Sequence, residues 1–363
     1  MSLTKDLLYR YLPLAMAAIC IAFGLWCWSS AESADYFVAG HVVTFISAVC
    51  LTLFATAATM IRQNIGRYSI VHRIGLPTFA YLVAAGTIGF GLRERAQALD
   101  GFIAGHVVFG LGLISLCVAT VATVCTRFAL LPESARLSPG DPAPRRAFSL
   151  VKGRVLITIP VVAALTAWTI AIVLLLGASD QEHFVAGHVL AGQAAICTII
   201  VGIVASLVRQ IRNAYNERDA RLWPSIGIAM GTLNLAWGGT LVAMHRQPDW
   251  ITTGFVMIGL GLVSYAIASK VAVLAVMWRR SPPVPDWAPL IPVLTALACL
   301  FLAAFLFQAA VLDTAFFIPA RVLTGLAAIC FSLFPIVSTL PVSPALARAH
   351  RPHQPLDITR ARP

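Results

Sequence analysis

Phe37-Val38-Ala39-Gly40-His41 recurs as Phe102-Ile103-Ala104-Gly105-His106 and again as Phe184-Val185-Ala186-Gly187-His188. Two diverged copies align with these without gaps. Segment 251–264 (ITTGFVMIGLGLVS) matches 102–115 (FIAGHVVFGLGLIS) and sets Phe255 at the place of His106. Segment 317–330 (FIPARVLTGLAAIC) matches 184–197 (FVAGHVLAGQAAIC) and sets Arg321 at the place of His188. The key positions are therefore 41, 106, 188, 255 and 321, at intervals of 65, 82, 67 and 66 residues, the long one containing an insertion at 127–154.

Other markers keep step with them. Pro13, Pro77, Pro160, Pro224 and Pro292 lie 28 to 31 residues upstream and are expected to open the first helix of each copy. A carboxylate sits six residues before the key position in four copies, as Asp35, Asp100, Glu182 and Asp249. Small residues follow nine residues after it (Cys50, Ser115, Cys197, Ser264, Cys330), and an arginine 21 residues after it in three copies (Arg62, Arg127, Arg209). Self-similarity at a fixed period is the signature of a repeat architecture.

Each copy holds two stretches long enough to cross a bilayer, which takes about 20 mostly apolar residues. The ten spans are about 12–29, 37–61, 74–92, 102–126, 155–178, 184–208, 224–244, 251–278, 288–312 and 315–340. The fold expected is all-α and polytopic: ten transmembrane helices arranged as five tandem, parallel helical hairpins in a single domain, residues 1–340. The repeats run about 10–62, 74–127, 155–209, 222–279 and 288–340; a cytoplasmic linker covers 127–154 and a polar, Pro-rich, mobile tail 341–363. A closed bundle of approximate five-fold symmetry is the simplest way for five equivalent hairpins to satisfy one another. Parallel copies argue against an inverted-repeat transporter.

Composition agrees. Of 363 residues, 59% are hydrophobic and 11% charged, with a mean hydropathy of +0.84, which excludes a soluble globular chain and a disordered one. The net charge of +11 fits a membrane protein with basic cytoplasmic loops better than a nucleic-acid module, and no nucleic-acid partner is expected. With a cytoplasmic N-terminus the inner segments hold 21 Lys and Arg; the outer connections hold Arg93, Arg95 and Arg246 beside eight carboxylates. That bias sets both termini inside a bacterial inner membrane, with Arg145 and Arg218 cytoplasmic and Glu182 outside. Lys5 and Arg10 before an apolar run resemble a signal peptide, but the first span is one member of a repeat, which argues against cleavage. Eight cysteines, mostly inside apolar runs and with no CxxC, read as buried packing residues.

Twenty-one residues of helix span about 31 Å. With the arginine at the inner boundary, His41, His106, His188, Phe255 and Arg321 share one depth near the outer boundary, in the aromatic belt. One reading makes the histidines interfacial packing residues. A second makes them, with Arg321, a proton-responsive layer whose like charges repel on acidification and reshape the outer mouth. A three-histidine metal site or a bis-histidine haem would need converging rings. Six residues of helix set each carboxylate on the opposite side of its own helix from the key residue, so a histidine–carboxylate pair would have to form between adjacent repeats.

Of the polar residues inside spans, Lys270 is expected to snorkel toward the cytoplasm, eight residues before Trp278, and Gln193, Asn234 and Gln308 to hydrogen-bond between helices. Gly101-x-x-x-Gly105 and Gly227-x-x-x-Gly231 are packing motifs. His183 and His245 lie in outer loops without evident partners. No Walker motif, nucleophile elbow or HExxH appears, and no enzyme activity is expected.

The thrice-repeated F-[VI]-A-G-H, the run FIPARVLTGLAAICFSLF at 317–334 and SKVAVLAVMWRR at 269–280 resemble the YhiM family of enterobacterial inner-membrane proteins, over nearly the whole chain except the linker and the tail. The resemblance implies a multi-pass inner-membrane protein linked to survival in acid and envelope stress, and it supplies no substrate, cofactor or catalytic residue. The reading favoured is a non-enzymatic membrane protein whose outer histidine layer responds to pH and gates a conduit for protons, ions or a small solute. The alternatives are a redox protein holding haem or quinone through paired histidines, and a non-transporting scaffold. No cofactor is expected under the first reading, and the partners are the lipid bilayer and a small solute or ion.

Overall fold

A computed structural model of the protein describes residues 3–30, 33–64, 69–96, 100–128, 150–177, 180–212, 214–244, 247–279, 285 and 287–339. Most of the 127–154 linker, Arg145, His245, Arg246 and the tail after 340 lie outside the described residues, as do the side chains of Asp100 and Arg127.

Ten helices long and apolar enough to cross a membrane make up the described chain. They are α1 (Leu3–Ser29), α2 (Ala34–Asn64), α3 (Leu76–Glu94), α4 (Asp100–Phe128), α5 (Leu150–Leu176), α6 (Gln181–Ile211), α7 (Glu217–Met244), α8 (Pro248–Arg279), α9 (Ile291–Ala309) and α10 (Phe317–Thr339). A π-helical turn, Val71–Gly75, leads into α3, and 3₁₀ turns at Ala288–Leu290 and Thr314–Phe316 lead into α9 and α10.

The helices sort by burial. In the even-numbered helices 72–89% of the apolar stretch is buried, against 28–33% in the odd-numbered ones. The even-numbered helices close a ring, α2 on α4, α4 on α6, α6 on α8, α8 on α10 and α10 back on α2. Each odd-numbered helix lies outside it, packed on its own hairpin partner and on the even helix before: α3 on α2 and α4, α7 on α6 and α8, α1 on α10 and α2. Large apolar side chains such as Leu82, Leu176, Phe301 and Phe305 stay exposed on this outer layer, as a lipid-facing surface requires. We call the end holding Asp35, Glu182 and Asp249 the carboxylate end and the end holding Arg62, Arg209 and Arg279 the arginine end.

Small residues set both layers of contact. Without a hydrophobic driving force between helices in lipid, tight van der Waals approach must hold them, and glycine permits it. Four even helices carry a glycine four residues after the key position. A Cβ on Gly192 would fall 2.7 Å from Leu260, one on Gly259 2.6 Å from Leu323 and Leu326, and one on Gly325 2.6 Å from Ile46; Gly110 lies against Gln193 and Leu190 in the same way. Between hairpin partners the approach is backbone to backbone: a Cβ on Gly238 would sit 2.6 Å from the Gly254 carbonyl oxygen.

One sequence expectation needs correction here. Only Pro77 and Pro292 lie at a helix start; Pro13, Pro160 and Pro224 fall inside α1, α5 and α7. Those helices extend upstream through polar residues, Arg10, Arg154 and Arg221 among them, because a helix does not end where its apolar stretch ends. The glycine motif on α7 does pack as expected, with Gly227 against Ala268 and Gly231 against the Tyr265 ring.

Two adjacent residues test the backbone contact. Gly238→Ala should destabilise the bundle by about 1–3 kcal/mol through overpacking. Gly239→Ala, whose Cβ enters open space, should be neutral or gain up to about 1 kcal/mol in helix propensity. Thermal melts of the detergent-solubilised variants check both, and equal losses would contradict the backbone-to-backbone packing.

Candidate functional site

Each histidine of the recurring motif is fixed by its own helix. Nδ1 of His41 donates to the Phe37 carbonyl at 2.8 Å, His106 to Phe102 at 2.8 Å and His188 to Phe184 at 2.7 Å. A carbonyl only accepts, so Nδ1 carries the proton and Nε2 holds the lone pair of the neutral ring. The same phenylalanine packs its ring on the imidazole, with centroids 4.1, 4.4 and 4.2 Å apart. The motif's phenylalanine is thus a histidine partner, where the sequence suggested only an interfacial aromatic.

Arg321 repeats the arrangement. Its Nη1 donates to the Phe317 carbonyl at 3.0 Å, its guanidinium carbon lies 3.3 Å from the Phe317 ring centroid, and Phe307 and Tyr36 stand at 5.2 and 5.6 Å. Phe255 packs on Phe316 at 6.1 Å. The charged and imidazole members are buried, with His41 1%, His106 5%, His188 6% and Arg321 8% exposed.

These side chains point away from the ring axis. His41 meets Trp28 of α1 at 4.2 Å and Phe90 of α3 at 5.8 Å, and His188 meets Trp237 of α7 at 5.8 Å. His41, His188 and Arg321 thus fill separate niches between an even helix and the outer layer. Among the described residues the three rings make no contact with one another, and none forms an ion pair with Asp35, Glu182 or Asp249. Among the described residues the rings do not converge as a three-histidine metal site or a bis-histidine haem would require. His183, expected to lack a partner, binds the Asp180 carboxylate at 2.7 Å and sets its ring tilted against Phe102 at 4.7 Å. The His183 backbone N–H donates to the same carboxylate, and these bonds hold Asp180 below the usual carboxylate range.

The axis itself belongs to the residues one place further on. Val42, Val107, Val189, Val256 and Val322 ring a cavity of about 240 Å³ at the carboxylate end. Asp35, Glu182 and Asp249 stand at its mouth, and Asp100 begins α4 at the equivalent place. The floor is Ile46, Leu111, Gln193, Leu260 and Leu326. Beyond it a second cavity of about 30 Å³ continues between apolar side chains toward Thr56 and Lys270.

Lys270 corrects the sequence expectation. It is 3% exposed and lines that inner cavity instead of snorkelling, because its position on α8 faces the axis. No carboxylate lies within ion-pair reach of it among the described residues. Gln193 and Asn234 are interhelical bonds as expected: Gln193 donates to the Val107 carbonyl at 3.1 Å, and Asn234 to the Gly192 carbonyl at 3.3 Å. Gln308 is not, since it is exposed on α9. Among the described residues no three His, Cys, Asp or Glu side chains form a metal-binding group.

Sequence reasoning missed the axial residues, although a signal was present: one step after the key position all five copies carry valine. The valines escaped notice because a valine in an apolar span carries no chemistry of its own.

No solved structure matches this chain. Residues 1–344 match the family described as "Protein of unknown function (DUF2776)". The inner membrane protein YhiM of Escherichia coli (strain K12) is 40% identical over 336 residues, which cover 92% of this chain and 96% of the relative. With this coverage, ten membrane-length helices and the shared motif, the chain belongs to that family of multi-pass inner-membrane proteins.

Proposed function

We propose that this chain is a gated conduit for a proton, an ion or a small solute, running along the axis of its helix ring. The observation that carries the reading is the pair of cavities stacked on that axis, the larger one opening among Asp35, Glu182 and Asp249. Carboxylates at a low-dielectric mouth raise the local concentration of cationic and polar solutes. The floor, apolar at Ile46, Leu111, Leu260 and Leu326 with Gln193 as its one polar member, lies between the two cavities and acts as a hydrophobic constriction, the kind that gates by dewetting. Lys270 at the far end, buried among apolar side chains, is the polar group that the inner cavity reaches next.

The same reading takes the chain as five tandem, parallel hairpins with the carboxylate end outside and both termini cytoplasmic. The clustering of arginines at one end supports it. A cysteine placed at Glu182 should react with a membrane-impermeant maleimide in intact cells, and one at Arg218 only after lysis. The reverse pattern would invert the conduit.

Hydrating the constriction tests transport. In proteoliposomes, Leu111→Ser with Leu260→Ser should raise solute or ion flux by at least about tenfold, equivalent to about 1.4 kcal/mol off the barrier. Flux equal to that of the unchanged protein would overturn the conduit.

A response to acid follows from the histidine niches, each of which backs directly onto a valine of the ring through the neighbouring residue on the same helix. Protonating Nε2 would put charge among Trp28, Phe37 and Phe90, or beside Arg95 and His183 in the case of His106. Arg321 holds a permanent charge in its niche with Asp35 nearby, so each niche answers to its own neighbours instead of to mutual repulsion. Replacing His41, His106 and His188 together with Gln should preserve folding and flux but abolish the dependence of flux on pH between about pH 5 and 7. An unchanged pH profile would return the histidines to packing.

A further inference from the structure

Arg209 and Asp219 form an ion pair of 2.7 Å at the arginine end, joining the close of α6 to the start of α7. Asp219 stands ten residues after Arg209 and five before Pro224. The same spacing one hairpin pair earlier reads Arg62, His72, Pro77. Where one copy carries a carboxylate to neutralise its arginine, the other carries an imidazole.

The first copy adds more positive charge. Arg10 of α1 is 8% exposed, and both Arg10 and Arg62 lie within Coulombic reach of His72. Arg10 spends one guanidinium nitrogen on the Tyr11 hydroxyl at 2.8 Å. The Nε atoms of Arg10 and of Arg62 are buried without a hydrogen-bond partner. Neither arginine makes an ion pair among the described residues. Burying a guanidinium N–H with no acceptor costs free energy, and gathering cations costs more, unless an anion joins them.

The surroundings fix what kind of anion. His72 lies on the π-helical turn Val71–Gly75, its carbonyl held by the Thr59 hydroxyl at 3.4 Å and its Nδ1 beside the Ser69 hydroxyl at 2.7 Å. Single π turns inside helices recur at functional sites. Ile70, Val71 and Ile74 on and beside the same turn are exposed, next to a basic cluster at the level of the membrane surface. A soluble phosphate has no use for that apolar surface; acyl chains do. Basic pockets between transmembrane helices at this level bind anionic headgroups.

We propose that Arg10, Arg62 and His72 form a binding site for the phosphate of an anionic phospholipid, whose acyl chains lie along Ile70 and Ile74. Two guanidinium groups suit the oxygens of a phosphodiester. The site is independent of the axial conduit and would stand if that reading failed.

Native mass spectrometry of the detergent-purified protein, titrated with dioleoyl phosphatidylglycerol or dioleoyl phosphatidylcholine, tests this. Phosphatidylglycerol should bind more tightly, and Arg10→Gln with Arg62→Gln should weaken it by about fivefold for each arginine removed. His72→Asp rebuilds the Arg209–Asp219 arrangement; it should melt no lower than the unchanged protein yet lose the preference for phosphatidylglycerol. Arg209→Gln should leave that preference intact. Equal binding of both lipids, or a preference that survives His72→Asp, would overturn the site. Inorganic phosphate competing where phosphatidylglycerol does not bind would overturn the lipid as its source.

Discussion

How closely one even-numbered helix approaches the next decides everything else in this molecule. Gly110, Gly192, Gly259 and Gly325 each receive the side chains of the following helix where a Cβ would stand. That approach fixes the radius of the ring, and the radius fixes the width of the axial space. It also fixes helix rotation. With residue four after the key position turned toward a neighbour, residue one faces the axis and the key residue faces outward. The niches, the valine ring and the cavity mouth are consequences of that one packing choice. In lipid no hydrophobic effect could have enforced it instead.

The sequence made the ten spans legible because span length and charge bias are read against the bilayer, a fixed ruler. It also made the shared pattern around His41, His106, His188, Phe255 and Arg321 legible, and four of the five have a Phe four residues upstream. Rotation about each helix was not legible. In a soluble protein the apolar face marks the core; here lipid and core ask for the same side chains, so an even helix is apolar all round. Lys270 and Gln308 were misassigned for that reason. Each sits in an apolar run, yet one faces the axis and the other the outside of α9. Which way the histidines face was open for the same reason, and a shift of one residue, about 100° of rotation, separates them from the axial valines.

The five niches also show what is common to the copies and what each varies. A ring nitrogen or guanidinium bonded to the carbonyl four residues back occurs with His41, His106, His188 and Arg321, whereas Phe255 fills its place with apolar surface alone. The ring closes with or without the polar bond, so packing and not hydrogen bonding holds the even helices together. The polar bond instead sets the direction of the ring and its tautomer, properties that matter for proton chemistry and not for assembly.

The two ends differ in how their ionisable residues are distributed. At the mouth the equivalent of Asp35, Glu182 and Asp249 in the last copy is Ala315, which lines the same cavity. At the inner cavity the copies present Thr56, Val121, Ile203 and Ile336 at the level of Lys270. Among the lining residues, ionisable side chains recur at the wide mouth and occur once in the narrow inner cavity.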